Sequence, residues 1–187
     1  MTRLNVTDTP IQGLKVVTAH RLGDTRGHFS RLFCAEELLT AGWTGPIVQA
    51  NLTYTRQRGT VRGLHFQHPP DAEIKLVRCL RGAVWDVVVD LRRRSSTFLR
   101  WHATELSADN QASFLIPQGC AHGFQTLSDE VEMLYMHSAP YAPASEDGVS
   151  TADPLVGISW PLPIADMSDR DRALPLLSKS FEGIDLP

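Results

Sequence analysis

The run Trp85-Asp86-Val87-Val88-Val89-Asp90-Leu91 sets Trp85, Val87, Val89 and Leu91 on one face of an extended chain and Asp86, Val88 and Asp90 on the other. A period of two with three consecutive valines fits a strand. Gly82 punctuates its start, and Arg92-Arg93-Arg94-Ser95-Ser96 its end, where the basic run reads as a solvated hairpin tip. The same signal recurs outward from here. Residues 113–116 form an apolar run that stops at Pro117, and residues 131–137 alternate. Residues 14–18, 47–53, 76–80 and 100–105 are further strand candidates. Many short strands at close intervals predict an all-β sandwich or barrel. Helical signals are few: residues 35–41, closed by Gly42 as a C-cap, and a short piece opened by Ser168-Asp169-Arg170-Asp171. The stretch from Pro161 onward is proline-rich and is expected to wrap the body of the fold, with a single domain over residues 1–187.

The chain has 187 residues, 42% of them hydrophobic and 21% charged, with a net charge of −3. That length supports one real core. The mild acidity argues against a nucleic-acid partner, which requires a basic surface. No segment reaches the roughly 20 apolar residues of a membrane span. Residues 1–8 carry no apolar run, so no secretory signal is expected and a cytoplasmic location is. Cys34, Cys79 and Cys120 have unrelated spacings and read as small buried hydrophobes in a reducing compartment.

Chemistry concentrates in Arg62-Gly63-Leu64-His65-Phe66-Gln67, Lys75-Leu76-Val77-Arg78 and Pro117-Gln118-Gly119-Cys120-Ala121-His122-Gly123-Phe124. On a regular strand His65 shares its face with Gly63 and Gln67, while Arg62 points away. Both can meet one ligand if Gly63 permits a bulge. Lys75 either meets an anion or polarised oxygen inside an apolar strand, or sits on an edge with its ammonium in water. Gly123 is expected to leave space for a ligand beside His122. Tyr135 is a core tyrosine or a functional phenol. Ser168-x-x-Asp171 has capping-box spacing, yet Asp171 could instead hold an imidazole in one tautomer. Metal binding is disfavoured: His65-x-x-His68 diverges on an extended chain, Gln67 occupies the place of an alternating ligand, and His68 runs into Pro69-Pro70. There is no Gly-x-Gly-x-x-Gly fingerprint of a redox cofactor.

Taken with Asp24-Thr25-Arg26-Gly27, Val48-Gln49-x-Asn51, Glu105-Leu106-Ser107-Ala108 and Tyr141-x-Pro143, these motifs run from about residue 14 to 176. In that order they resemble the dTDP-4-dehydrorhamnose 3,5-epimerase family. The resemblance implies a double-stranded β-helix (jelly roll, cupin-like) acting as a homodimer without metal or organic cofactor. It implies a nucleotide-linked 4-keto-6-deoxyhexose substrate, inverted at C5, C3 or both. By likeness, His65 is the general base, supported by Asp171 and His122, and Tyr135 is the general acid on the opposite face of the sugar. Lys75 resembles the group that stabilises the enolate oxygen at C4. Arg26, Gln49, Asn51, Arg62 and Glu146 resemble substrate contacts, Tyr141 the residue stacked on the base, and Arg31 and Arg170 are further contact candidates.

Three departures stand out: Arg31 where family members usually carry Glu, His28 where an aromatic is frequent, and Met136 where a lysine often follows the tyrosine. A cation in place of an acceptor alters what that corner can bind, so CDP or another nucleotide is an alternative to dTDP. A metal-dependent cupin oxygenase and a non-catalytic sugar-nucleotide binding module are the alternatives of other classes.

Overall fold

The computed structural model describes residues 2–186. Strands β1 (Leu4–Asp8), β2 (Lys15–Ala19), β3 (Arg21–Asp24) and β4 (Gly27–Ser30) precede helix α1 (Ala35–Leu39). Then come β5 (Gln49–Thr55), β6 (Val61–Gln67), β7 (Lys75–Arg81), β8 (Ala83–Asp90), β9 (Trp101–Ser107), β10 (Ala112–Ile116), β11 (Cys120–Thr126), β12 (Val131–His137), β13 (Glu146–Gly148) and helix α2 (Asp169–Arg172). Six strands form one sheet in the order β1-β2-β10-β7-β12-β5, and five form a second in the order β13-β6-β11-β8-β9. Neighbours pair antiparallel throughout both sheets. Hairpin β3–β4 stands apart as a two-stranded sheet. This is the expected jelly roll.

The strand read at residues 85–91 is β8, but both of its faces are buried. Val84 and Val88 point between the sheets into a core shared with Val77, Cys79, Phe114, Ile116, Phe124 and Met133. Val87, Val89 and Leu91 point outward, where Val149, Val156, Ile184 and the half-buried Trp160, Phe181 and Leu186 cover them. The C-terminal stretch thus wraps the five-stranded sheet. Phe114 and Phe124, both essentially inaccessible, each contribute roughly 1.5–3 kcal/mol of transfer free energy. On the outer face of the six-stranded sheet, Leu38 of α1 and Trp43 close a third cluster with Leu4, Val17, Leu76 and Leu115.

The basic run after β8 is solvated at Arg93 and Arg94, but Arg92 is largely buried. Arg92 binds the fully buried Asp90 (2.8 Å), which also accepts from Thr97, and Arg93 binds Asp185 (3.0 Å) and Glu182. The Arg93 pairs tie the C-terminal segment down, and the bridge between Arg92 and Ile184 continues the attachment. Sequence alone does not reveal the Arg93 pairs because their partners lie about 90 residues away.

Inside the sandwich the same strand faces change character along their length. On β12, Val131 and Met133 belong to the core, whereas Tyr135 and His137, next on that face, line a cavity. On β7, Cys79 and Val77 give way to Lys75. Cross-strand pairing sets Val77 opposite Tyr135 and Lys75 opposite His137. The apolar half of the interior holds the sheets together, and the polar half is the site.

Candidate active site

A cavity of about 470 Å³ opens at this polar end. His65, Arg62 and His122 reach it from the five-stranded sheet; Tyr135, Lys75, Gln49 and Asn51 reach it from the six-stranded sheet. Tyr141, Glu146, Arg170 and Asp171 close its rim. Two residues read from the sequence lie elsewhere. Arg26 sits at the exposed tip of β3–β4, paired with Asp24 (2.5 Å), and Arg31 pairs with Glu37 beside α1. Neither lines the cavity of its own chain.

Arg62 and His65 share the cavity because the β6–β11 ladder slips. His122 pairs with His65 and Phe124 with Arg62, so three steps on β6 match two on β11. The extra residue turns Arg62 onto the side of His65. Gly63 makes this possible at φ +113°, and a Cβ there would lie 2.7 Å from Gly123 Cα. Gly123 is needed for the same reason. Its Cβ would meet the Arg62 carbonyl oxygen at 2.5 Å, so Gly123 serves the close approach of β6 as well as lining the cavity beside His122.

The imidazole of His65 is held through Nε2 by Asp171 Oδ1 at 2.8 Å. Asp171 has both roles its spacing suggested. Its backbone N–H donates to Ser168 Oγ (3.1 Å) as α2 begins, and its carboxylate also accepts from Gly63 N–H (3.2 Å). Burial opposes ionisation of this carboxyl, but His65 and the Gly63 N–H outweigh it and hold it below the usual carboxylate range. With Nε2–H donated to Asp171, the His65 lone pair is on Nδ1.

His122, on the neighbouring strand, has the same construction: Nε2 lies 2.9 and 3.0 Å from the two oxygens of Asp86. Asp86 is fully buried, and burial raises its pKa despite the imidazole. The sequence placed Asp86 on the polar face of its strand without a role; burial on both sides of β8 makes it a partner for His122.

Tyr135 faces these histidines. Its ring meets His122 edge-on, with centroids 6.1 Å apart, and its hydroxyl lies 3.5 Å from Thr53 Oγ1. Removal from water pushes the phenol well above its ordinary pKa. It is therefore a proton carrier at neutral pH.

Lys75 lies on a central strand and meets an anion. Its ammonium is 2.9 Å from Glu73, and both groups are buried. Glu73 also accepts from His137 Nδ1 at 2.6 Å. The sequence reading passed over both; the period-two step from Tyr135 to His137 was the available signal. At the rim, Tyr141 donates to Glu146 (2.6 Å), which also binds Arg170 (2.5 Å). Among the described residues, no three His, Cys, Asp or Glu side chains gather as a metal-binding group.

A jelly roll with an anchored imidazole on one sheet and a protonated phenol on the other is built as an isomerase that moves protons across a bound sugar. The sequence profile described as dTDP-4-dehydrorhamnose 3,5-epimerase matches residues 8–179. The chain belongs to that family, the sugar-nucleotide epimerases of deoxysugar biosynthesis. It is 40% identical to a dTDP-4-dehydrorhamnose 3,5-epimerase of Sinorhizobium fredii, over 89% of this chain and 86% of the relative. It is 38% identical to a dTDP-4-dehydrorhamnose 3-epimerase of Streptomyces niveus, over 95% and 86%. The dTDP-6-deoxy-D-glucose-3,5-epimerase of Legionella pneumophila, solved with dTDP-4-keto-L-rhamnose, superimposes with a TM-score of 0.90 at 35% identity, covering 98% and 99% of the two chains. No helix of the described residues is long and apolar enough to cross a membrane.

Proposed function

We propose that this epimerase acts on a dTDP-linked 4-keto-6-deoxyhexose, with His65 as base and Tyr135 as acid. The observation that carries the reading is the placement of an Asp171-held imidazole and a desolvated phenol on different sheets of one cavity. A ketone at C4 acidifies the hydrogens at C3 and C5. His65 Nδ1 takes one of them, the C–H electron pair moves into an enolate, and negative charge gathers on the C4 oxygen. Lys75 and the Asp86-held His122 stabilise that oxygen. Tyr135 O–H then protonates the same carbon from the opposite face, inverting it, and both groups re-equilibrate with solvent.

Gln49, Asn51, Arg62 and the Tyr141–Glu146–Arg170 rim contact the nucleotide portion in this reading. dTDP is favoured by the ligand of the Legionella structure. The reason for looking beyond dTDP is a cation at position 31 where relatives carry an acceptor, and in this chain that cation is paired with Glu37. Incubation in D2O, following deuterium at C3 and C5 separately, tests the assignment. His65→Ala should lose exchange by roughly 10²–10⁴-fold. Tyr135→Phe should retain wash-in while losing net inversion. Normal exchange in His65→Ala would remove the base assignment.

The same reading makes the working unit a homodimer. Among the described residues, hairpin β3–β4 has no strand neighbour outside itself and exposes Leu22 and Phe29, and the edge strand β5 exposes Leu52 and Tyr54. A partner covering both would place Arg26 against the second protomer. Sedimentation equilibrium should give twice the chain mass, and a concentration-independent monomer would refute the dimer.

A further inference from the structure

A run of hydrogen bonds crosses the cavity wall from Lys75 to the Tyr141 rim, and a buried carboxylate sets its direction. Glu73 Oε1 holds the Lys75 ammonium at 2.9 Å, and its Oε2 accepts from His137 Nδ1–H at 2.6 Å. A carboxylate only accepts, so the proton of a neutral His137 resides on Nδ1 and its Nε2 becomes an acceptor. Asn51 Nδ2 lies 3.3 Å from that Nε2 and donates to it. Asn51 Oδ1 is then free to accept from Gln49 Nε2 at 3.2 Å, and Gln49 Oε1 accepts from the Tyr141 backbone N–H at 3.0 Å. Each amide orientation follows from the one before it, without conflict.

The strands make this arrangement unavoidable. His137 lies opposite Lys75 on one side and Gln49 on the other, in the register of β7, β12 and β5. Its ring lies parallel to that of Tyr135, with centroids 6.2 Å apart and planes inclined by 17°. Burial opposes ionisation of Glu73, but the His137 hydrogen bond and the Lys75 charge prevail and hold its carboxyl below the usual range. The anion is therefore present at neutral pH to anchor both partners.

We propose that Glu73 and His137 are positioning residues of this epimerase: Glu73 fixes Lys75, and through His137 it fixes the amides of Asn51 and Gln49 in the orientation that receives the nucleotide-linked sugar. The proposal rests on the functional reading above, in which Lys75 meets the C4 oxygen and the two amides meet substrate. It assigns separate kinetic roles to the two ends of the relay. Losing the Glu73 anchor displaces Lys75 and acts on the chemical step. Losing the His137 acceptor lets Asn51 and Gln49 turn, and acts on binding.

Two measurements test it. In ¹⁵N-histidine-labelled enzyme, long-range ¹⁵N–¹H correlation, with His137 assigned by comparison with His137→Asn, should show His137 as the Nδ1–H tautomer. An Nε2–H tautomer overturns the relay. Kinetics with a dTDP-linked 4-keto-6-deoxyhexose should split the two variants. His137→Asn keeps a donor towards Glu73 but has no atom at the Nε2 position that accepts from Asn51, and should raise KM about tenfold with a smaller fall in kcat, the scale of one hydrogen bond. Glu73→Gln should lower kcat on the order of 100-fold with a smaller change in KM, the scale of a displaced catalytic group. If both variants stay within twofold of wild type in kcat and KM, the relay has no positioning role. His65→Ala measured beside them separates the two ideas, because retained exchange there refutes the base assignment and leaves the relay to be judged by the tautomer. The tautomer reading needs no Glu73 variant, so it stands even if Glu73→Gln fails to fold.

Discussion

Asp171 shows how one carboxylate serves a helix start and a reacting imidazole together. Its backbone N–H answers Ser168, leaving both carboxylate oxygens for His65 and Gly63. Asp171→Asn keeps an acceptor oxygen but loses the charge that holds His65 Nε2–H and stabilises the imidazolium formed when His65 takes a proton. It is expected to lower kcat by roughly 10²–10⁴-fold, with much less change in KM, as steady-state kinetics would show. An unchanged kcat would mean that the carboxylate serves the helix alone. The residue-level reading of the sequence reached His65, His122, Lys75, Tyr135 and Asp171, all of which line one cavity. It did not reach Asp86 or the Glu73–His137 pair, whose partners lie dozens of residues apart, although the period-two step from Tyr135 pointed to His137. Arg26 and Arg31 illustrate the reverse: a motif marks them, but their own chain holds them outside the cavity.

Among the elements, β6 and β11 approach each other closely. Their backbones meet at Gly63 and Gly123, and a methyl group on Gly123 would sit 2.5 Å from a backbone oxygen that cannot swing aside. Gly123→Ala should therefore destabilise the protein by about 1–3 kcal/mol, seen as a lower midpoint in chemical denaturation, and should also reduce activity by moving His122 and Arg62. Full stability in that variant would show that the two strands can separate at little cost. Strand existence was largely legible in the sequence: β12 matches its reading to the residue, and β2, β5, β7 and β9 deviate by one or two positions at their ends. The hairpin β3–β4 and the short β1 and β13 were not read as strands. β3, β4 and β13 are polar or exposed on most positions and lack the alternation of a half-buried strand, whereas β1 alternates Leu4 and Val6 against Asn5 and Thr7 over too few residues to stand out.

For the whole molecule, buried ionisable groups set the pH range of stability. Burial pushes the Cys79 thiol up to about 11 and Cys120 up to about 12. A thiol in the unfolded chain titrates near 8.5. The unfolded state therefore loses these protons first, and stability falls as pH rises from about 8.5 through the folded values, by about 1.4 kcal/mol per unit for each thiol. The depressed carboxyls of Asp171, Asp90 and Glu73 act in the opposite sense. Their contribution is present above the unfolded value near 4 and is lost as pH falls through the folded one. Thermal melts across pH should give a plateau between these limits, and Cys120→Ala should flatten the alkaline slope; an unchanged slope would show that this thiol does not titrate in that range. The all-β architecture followed from alternation, but the division of the interior between core and cavity did not. A period of two states which residues share a face, not where along that face packing yields to water.

That division has a consequence for how such an enzyme can change. Moving from Lys75 to Val77, or from His137 through Tyr135 to Met133, is a descent by successive rungs of one ladder, with no break in strand pairing. The depth of the chamber is thus set by which rung first carries an apolar side chain. Trimming Val77 or Met133 would lower the floor while leaving the scaffold's connectivity intact, so new substrates can be accommodated at the expense of stability alone, without redesign of the architecture.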